Sequence, residues 1–553
     1  MPKYDFDLGA NLIENLTTGM YHDSKVIYRE YIQNACDQID KAEQLGILKQ
    51  RNTMGKYPDL GEGIINIWLK PNERYIAIED NATGIKAIDF QRTLSNIADS
   101  DKVMGKDKGF RGIGRLCGLA YCRQLVFTSR WMGEDVISIM TCNALKMREM
   151  INETNTKKQR HSMLDVLRAM VEFDTRQVQK DDAEHFFKVE LIDINEENEE
   201  LFGGIDVTNT EQLTDYLSFV APVPYHADFY YRSEIYEYAK KHGVKIDEYN
   251  IKIEGKQIFK KYKTRLKTGN GDDEVYGVKF REFLADDDTL LAWMWYGETN
   301  FKAAIKDGVI SRGLRLRKEN IQIGEENTLR SMFHEPRGNS YFIGEIFGVS
   351  SELIPNSQRS YFNENHIRIK FEHELKAFFH DELHRVYHDG SDTNAAINKI
   401  KSYDAKEIEF KTKVENGTFM SNEERETEQT ALEKSKQDAL TARRRLEKRR
   451  EDGRPIERRI IERRIREITP EVTPHPTPNT QADAIKNDWE QSPLPTSLYS
   501  GKKFLVDSMF PAHNKRERKL LADTLTKIFT IISNSVDKKT AENIINKIKE
   551  GLK

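Results

Sequence analysis

Glu30, Asn34 and Asp37 stand four and then three residues apart within REYIQNACDQID, residues 29–40. On a helix that spacing gathers a carboxylate, a carboxamide and a second carboxylate on one face. Tyr28, Tyr31, Ile32, Ala35, Cys36 and Ile39 fall on the other side as an apolar stripe. Such a polar face offers a base for a water, an oxygen ligand for a hard cation and a supporting acid. A solvated helix surface has the same pattern, and for this stretch alone it is the simpler reading.

Two further stretches carry chemistry. IEDNATGI, residues 78–85, ends a strand in Asp80 and turns through Gly84. A carboxylate at a strand end accepts the exocyclic amino group of adenine and so tells it from guanine. An aspartate that merely opens a turn looks the same. GKDKGFRGIGRLCGLAYC, residues 105–122, spaces Gly105, Gly109, Gly112 and Gly114 through a lysine-containing segment ahead of an apolar helix from Arg115. Glycines let backbone N–H groups approach phosphate, and a helix N-terminus favours anions; a flexible surface loop has a similar composition. The Walker-type G-x-x-x-x-G-K-[ST] is absent.

The order of the three motifs is more specific than any one of them. Asn34 and Asp80 are 46 residues apart, and Asp80 and Gly109 are 29 apart. E-x-x-x-N-x-x-D, D-N-x-x-G and G-x-x-G-x-G in this sequence resemble the GHKL ATPases: gyrase, heat-shock chaperones, histidine kinases and MutL, with the MORC ATPases as relatives. The resemblance implies a Bergerat-type ATP-binding α/β sandwich. It implies Glu30 as general base for the attacking water, Asn34 as ligand of Mg²⁺ and Asp37 as support. It further implies Asp80 on adenine, Gly84 in the pocket floor, and a lid from about Asp99 through Gly109, Phe110, Arg111, Gly112, Ile113 and Gly114 around the triphosphate. The family pattern is D-x-G-x-G. Ala82 replaces its first glycine, and a positive φ there would strain alanine. YLSFVAPVPY through IPNSQRSYF is similar to the transducer domain of the gyrase, MutL and heat-shock branches, whose basic residue reaches the γ-phosphate. That implies Arg359, with Lys318 as the second candidate. The cofactors implied are ATP and Mg²⁺; the assembly implied is a homodimer.

The elements that must position these residues show in the apolar periodicity. Helical spacing runs through 24–48, GIINIWLK and RYIAIED alternate like a hairpin, and QLVFTSRW, DVISIMTC and HFFKVELIDI read as strands. This predicts an α+β domain over 1–205. Two helical stretches within 211–242, then five strand segments from YNIKIEG to SYFIGEIFGV and a helix near 364–388, predict a second α+β domain over 206–390, which the resemblance implies is transducer-like. A charged helical segment follows over 391–468, broken at Gly453 and Pro455, where Leu432, Leu440 and Leu446 leave a coiled coil as one reading. A Pro/Thr-rich linker is expected over 469–500 and a pair of docking or dimerising helices over 501–553, within a partly disordered tail.

The chain's 553 residues exceed one hydrophobic core, and a net charge of −4 gives no global attraction for nucleic acid. Locally, residues 441–466 hold twelve Arg or Lys against five Asp or Glu, a patch suited either to nucleic acid or to a helix laced with ion pairs. The four cysteines have no C-x-x-C spacing, and no apolar run reaches membrane length. A cytoplasmic protein without membrane contact is expected. His380, His384 and His388 share a helical stripe, but Asp381 stands where H-E-x-x-H requires Glu, so a solvated face is expected. His373 follows the ATPase region, the reverse of the order in histidine kinases. The resulting expectation is an ATP-driven clamp acting on DNA or on a protein. A chaperone-like remodeller and a nucleotide-gated scaffold with little turnover are the alternatives.

Overall fold

The computed structural model describes residues 8–17, 19, 23–52, 58–97, 108, 114–203 and 210–468. The lid residues Gly109, Phe110, Arg111, Gly112 and Ile113, the linker 469–500 and the helices expected over 501–553 lie outside the described residues. All described elements belong to one unit, Met1–Thr469.

The first layer is an eight-stranded sheet. Its strands are β1 (Ile64–Lys70), β2 (Tyr75–Asp80), β3 (Cys122–Arg130), β4 (Val136–Asn143), β5 (Val171–Gln177), β6 (Phe186–Ile194), β7 (Asn250–Ile253) and β8 (Lys256–Gln257), in the order β5-β4-β3-β6-β2-β1-β7-β8. β1 and β2 pair antiparallel from Ile65–Asp80 to Lys70–Tyr75, the hairpin that their alternation predicts. Ile65, Ile67 and Leu69 of β1 point inward and pack with α1 (Asn11–Thr17), α2 (Val26–Gln44), α3 (Ala87–Ser95), α4 (Ala144–Asn155) and α5 (Met163–Met170) in one core. The result is the two-layer α/β sandwich of the predicted class. β7, expected in the second domain, instead lies parallel to β1 and extends this sheet. A four-residue strand carries too little pattern to show which sheet it joins.

The second sheet follows α6 (Glu211–Val220), α7 (Arg232–Lys241) and the short pair β9 (Arg265–Thr268) and β10 (Gly271–Glu274). Its strands are β11 (Gly277–Leu284), β12 (Leu290–Glu298), β13 (Gly313–Lys318), β14 (Ile321–Ile323) and β15 (Ile343–Gly348), in the order β11-β12-β15-β13-β14. Both faces are covered. Trp293 and Trp295 of β12 pack with Phe219, Ile235 and Tyr236 from α6 and α7. Ala292 and Met294 pack with Phe371 and Leu375 of α8 (His366–Phe378) and with Val386 of α9 (His384–Asn416). Burial on both faces explains the near-continuous apolar run of LLAWMWYGE.

α9 extends well past the expected end and pairs with α10 (Asn422–Asp452), while α11 (Pro455–Arg466) begins at the predicted break. Ala396, Ile397 and Ile400 meet Ala439, Ala442 and Leu446 in a small seam, whereas Leu440 is exposed. α11 docks on the second sheet: Arg459 Nη2 and Arg463 Nη1 reach Glu298 at 2.6 and 2.8 Å. Arg449 bonds Glu457, Arg454 bonds Asp389, and Arg464 bonds Asn394. Much of the basic segment is thus spent on ion pairs between elements rather than along one helix.

Candidate functional site

α2 buries Tyr28, Tyr31, Ile32, Ala35, Cys36 and Ile39, as its stripe predicts. Its polar face is not a solvated surface. Asp37 is buried, and Glu30 and Asn34 are half-buried. Four separate segments close over this face, and each meets it at a particular residue.

The segment after the glycine loop comes first. Gly114 opens a 3₁₀ helix, Gly114–Ala120, and a side chain at 114 would put its Cβ 2.2 Å from Glu30 Oε2. A larger residue at 114 would displace this carboxylate. Tyr31 fixes the helix: its hydroxyl donates to the Arg115 carbonyl at 3.1 Å and accepts from the Gly118 N–H at 3.0 Å. Second, the Lys108 N–H donates to Asp37 Oδ1 at 2.9 Å, and Lys108 Nζ reaches Asp40 Oδ2 at 2.6 Å. Tyr249 also donates to Asp40, at 2.8 Å. Burial raises the Asp40 carboxyl, but Lys108 and Arg51 outweigh it and leave the group below the ordinary carboxylate range.

Third, the turn after β2 touches the same helix one turn beyond Asn34, where Thr83 Oγ1 donates to Gln38 Oε1 at 2.9 Å. Asp80 is buried at the strand end, and its Oδ1 accepts from the Ala82 N–H at 3.0 Å. Gly84 has φ +65°, and a Cβ there would come within 2.0 Å of the Arg130 carbonyl. Ala82 is absent from the residues with positive φ, so alanine is unstrained where the family pattern has glycine.

Fourth, the loop after β15 arrives. Arg29 donates to the Gln358 carbonyl at 2.8 Å, and Arg359 Nη2 donates to the Lys108 carbonyl. Arg359 is buried, with φ +50°, and Glu30 and Asp37 are among the charges that act on it. Burial pulls its guanidinium below its ordinary value, and Glu30 opposes that shift. Lys318 feels the charge of Arg359, and its Nζ donates to the Ser350 carbonyl at 2.7 Å. Of the two candidates, Arg359 is the one that bonds the segment packed on the α2 face, through the Lys108 carbonyl.

Sequence reasoning missed Lys108, Arg29 and Asp40. Asp40 follows Asp37 at helical spacing and Lys108 sits among the loop glycines, so both had a signal; the role of Arg29 depends on a loop 329 residues away. One feature suits an anion: Arg359 Nη1 is buried with no hydrogen-bond partner among the described residues. Glu30 lies 3.9 Å from Arg29 Nε and packs against Gly114. The same residues fit a nucleotide with its cation: Asn34, midway between Glu30 and Asp37, is the oxygen ligand such a cation would take.

Residues 23–178 match the family model of histidine kinase-, DNA gyrase B- and HSP90-like ATPases. A chaperone protein HtpG of Aliarcobacter butzleri is 31% identical over 101 residues, which is 18% of this chain and 16% of that protein. The chain therefore aligns with about a sixth of that relative's length.

Proposed function

Because residues 23–178 form a domain of the histidine kinase-, DNA gyrase B- and HSP90-like ATPase family, we propose that this protein binds and hydrolyses ATP and couples hydrolysis to movement of its second domain. The observation that carries the reading is Arg359, buried against Lys108 and within the field of Glu30. Glu30 takes the proton of the attacking water, and Gly114, lacking a side chain, lets the 3₁₀ helix pack against its carboxylate. Asn34 would hold Mg²⁺, with Asp37 fixing the lid through the Lys108 N–H. Bound Mg²⁺ would neutralise charge on the phosphates. Asp80 accepts the adenine amino group, and Gly84 lets the turn pass under the base. Arg359 contacts the terminal phosphate and so reports whether the nucleotide is a triphosphate.

Two subunits dimerise in the triphosphate state and separate after hydrolysis. The favoured client is a protein, as for the chaperone matched over 101 residues. In the basic segment 441–466, which would have served a DNA client, five of the twelve basic residues are committed to Glu298, Asp389, Glu457 and Asn394. Duplex DNA should leave the ATPase rate unchanged; strong stimulation would favour a DNA client of the MORC or MutL kind.

The test of coupling is Arg359→Ala. A charge-assisted contact to phosphate contributes about 1.5–3 kcal/mol. The variant should close roughly tenfold to a hundredfold less on a non-hydrolysable ATP analogue, while ADP affinity is unchanged. Cross-linking of the N-terminal domains with analogue against ADP reads this. Wild-type closure in the variant would remove Arg359 from the mechanism.

A further inference from the structure

His384 and His388 stand one turn apart on α9, with ring centroids 4.3 Å apart. Glu335 faces them from the loop between the 3₁₀ turns Arg330–Met332 and Pro336–Tyr341, with its Oε1 3.7 Å from His388 Nε2. One ligand atom from each of the three lies within 4.8 Å of the others. The His334 ring is 5.4 Å from His384 and 5.6 Å from His380. This cluster is none of the α2 site's residues.

The arrangement differs from a solvated histidine face in three ways. It draws ligands from two elements, and only the α9 half is visible as a stripe in the sequence. The helix opens into a π turn at Phe379–Leu383, directly before His384, a distortion common at functional sites. His388 Nε2 is buried without a hydrogen-bond partner, so a lone pair or N–H is left for something further. The carboxylate is also oriented: Arg337 Nε donates to Glu335 Oε2 at 2.7 Å, leaving Oε1 toward the histidines.

We propose that Glu335, His384 and His388 form a binding site for a divalent transition metal of the zinc class, with His334 or a water as fourth ligand. Two imidazoles and one carboxylate suit zinc, whereas magnesium and calcium take oxygen ligands throughout. Ligand atoms on a tetrahedral zinc stand about 3.3–3.5 Å apart, so a separation of 4.8 Å would close by about 1.4 Å. The half-buried histidine side chains allow that movement. A bound ion would tie the 333–337 loop to the base of the α9–α10 hairpin, outside the nucleotide site.

The experiment uses the full chain without a histidine tag, stripped by chelator. Zn²⁺ titration calorimetry should show one site per chain, and Co²⁺ should give the visible absorption of a tetrahedral complex. The double substitution His384→Ala, His388→Ala should weaken Zn²⁺ binding by about a hundredfold or more and abolish that absorption. Its metal-free ATPase rate should be unchanged. Glu335→Gln, nearly isosteric and folded whatever the double variant does, should weaken binding about tenfold and alter the Co²⁺ spectrum. Absence of a one-to-one site in the wild type, or wild-type binding and spectrum in Glu335→Gln, overturns the proposal.

Discussion

Glu30 on α2 and Glu345 on β15 are both carboxylates surrounded by protein, and they are met very differently. Glu345 is fully buried and accepts from Lys260 Nζ at 3.0 Å and Trp295 Nε1 at 3.3 Å, as well as from the Tyr225 hydroxyl and Arg317 Nε. Burial raises its pKa, but Arg317 and Lys260 override that and hold it well below the ordinary range. Glu30 has a cation 3.9 Å away and a glycine against its oxygen. The first carboxylate is saturated, so a substrate would have to displace a partner to reach it. The second has, among the described residues, a cation only at the edge of ion-pair distance. A strongly shifted titration therefore marks an acid enclosed by structural partners here, a caution for inferring function from shifted pKa values alone.

The sharpest way to break that comparison is to neutralise each acid. Glu30→Ala should lower turnover by about 10²–10⁴, as expected for loss of a general base, while nucleotide affinity and unfolding midpoint stay near wild type. Single-turnover kinetics with nucleotide titration separates the two effects; equal loss of binding and turnover would move Glu30 out of the catalytic role. Glu345→Ala should do the reverse. It strands the buried cations Lys260 and Arg317 and should destabilise the second domain by about 3–5 kcal/mol. Urea unfolding at neutral pH measures this, and a change below 1 kcal/mol would mean the cluster is not held by its anion.

Asp80 sharpens the comparison from the binding side. Asp80→Asn offers a donor where the adenine amino group needs an acceptor. ATP affinity should fall by about tenfold, a loss of roughly 1.4 kcal/mol. Unchanged affinity in a fluorescence titration would leave Asp80 as a turn residue whose work is its bond from Ala82.

How much of this was legible follows from how local each feature is. The helix stripe, the β1–β2 hairpin and the three motifs are written in neighbouring residues, and Glu30, Asp80 and Gly84 could be named from them. The 3₁₀ helix after Gly114 was legible as a helix, though not as this kind. Contacts across the chain were not. Arg29 with Gln358 spans 329 residues, and Glu335 with His388 brings together two stretches that carry no shared pattern. The histidine stripe therefore reads as solvated in the sequence, and α11 reads as an exposed basic helix. What changes the second reading is Glu298 at the end of β12, an ordinary acid in sequence and a buried anchor in the fold.

That anchor supplies the smallest expected effect. Glu298 accepts from Arg459 and Arg463. Burial raises its carboxyl, but the two arginines outweigh this and bring it down to about 2. An acid depressed in the folded state contributes stability above its unfolded value, and loses it as pH falls through the folded one. The docking of α11 should therefore hold at neutral pH and weaken between about pH 5 and pH 2. Arg459 is partly exposed and Arg463 remains, so Arg459→Gln should cost only about 1 kcal/mol at neutral pH. Hydrogen exchange of the α11 amides reads this locally, without requiring the whole chain to unfold in one step. Faster exchange in the variant at pH 7, with the difference from wild type closing toward pH 3, is the expected result. A difference that persists unchanged at low pH would show that Arg459 packs against the sheet through its alkyl stem, and that the charge of Glu298 is held by Arg463 and Lys279.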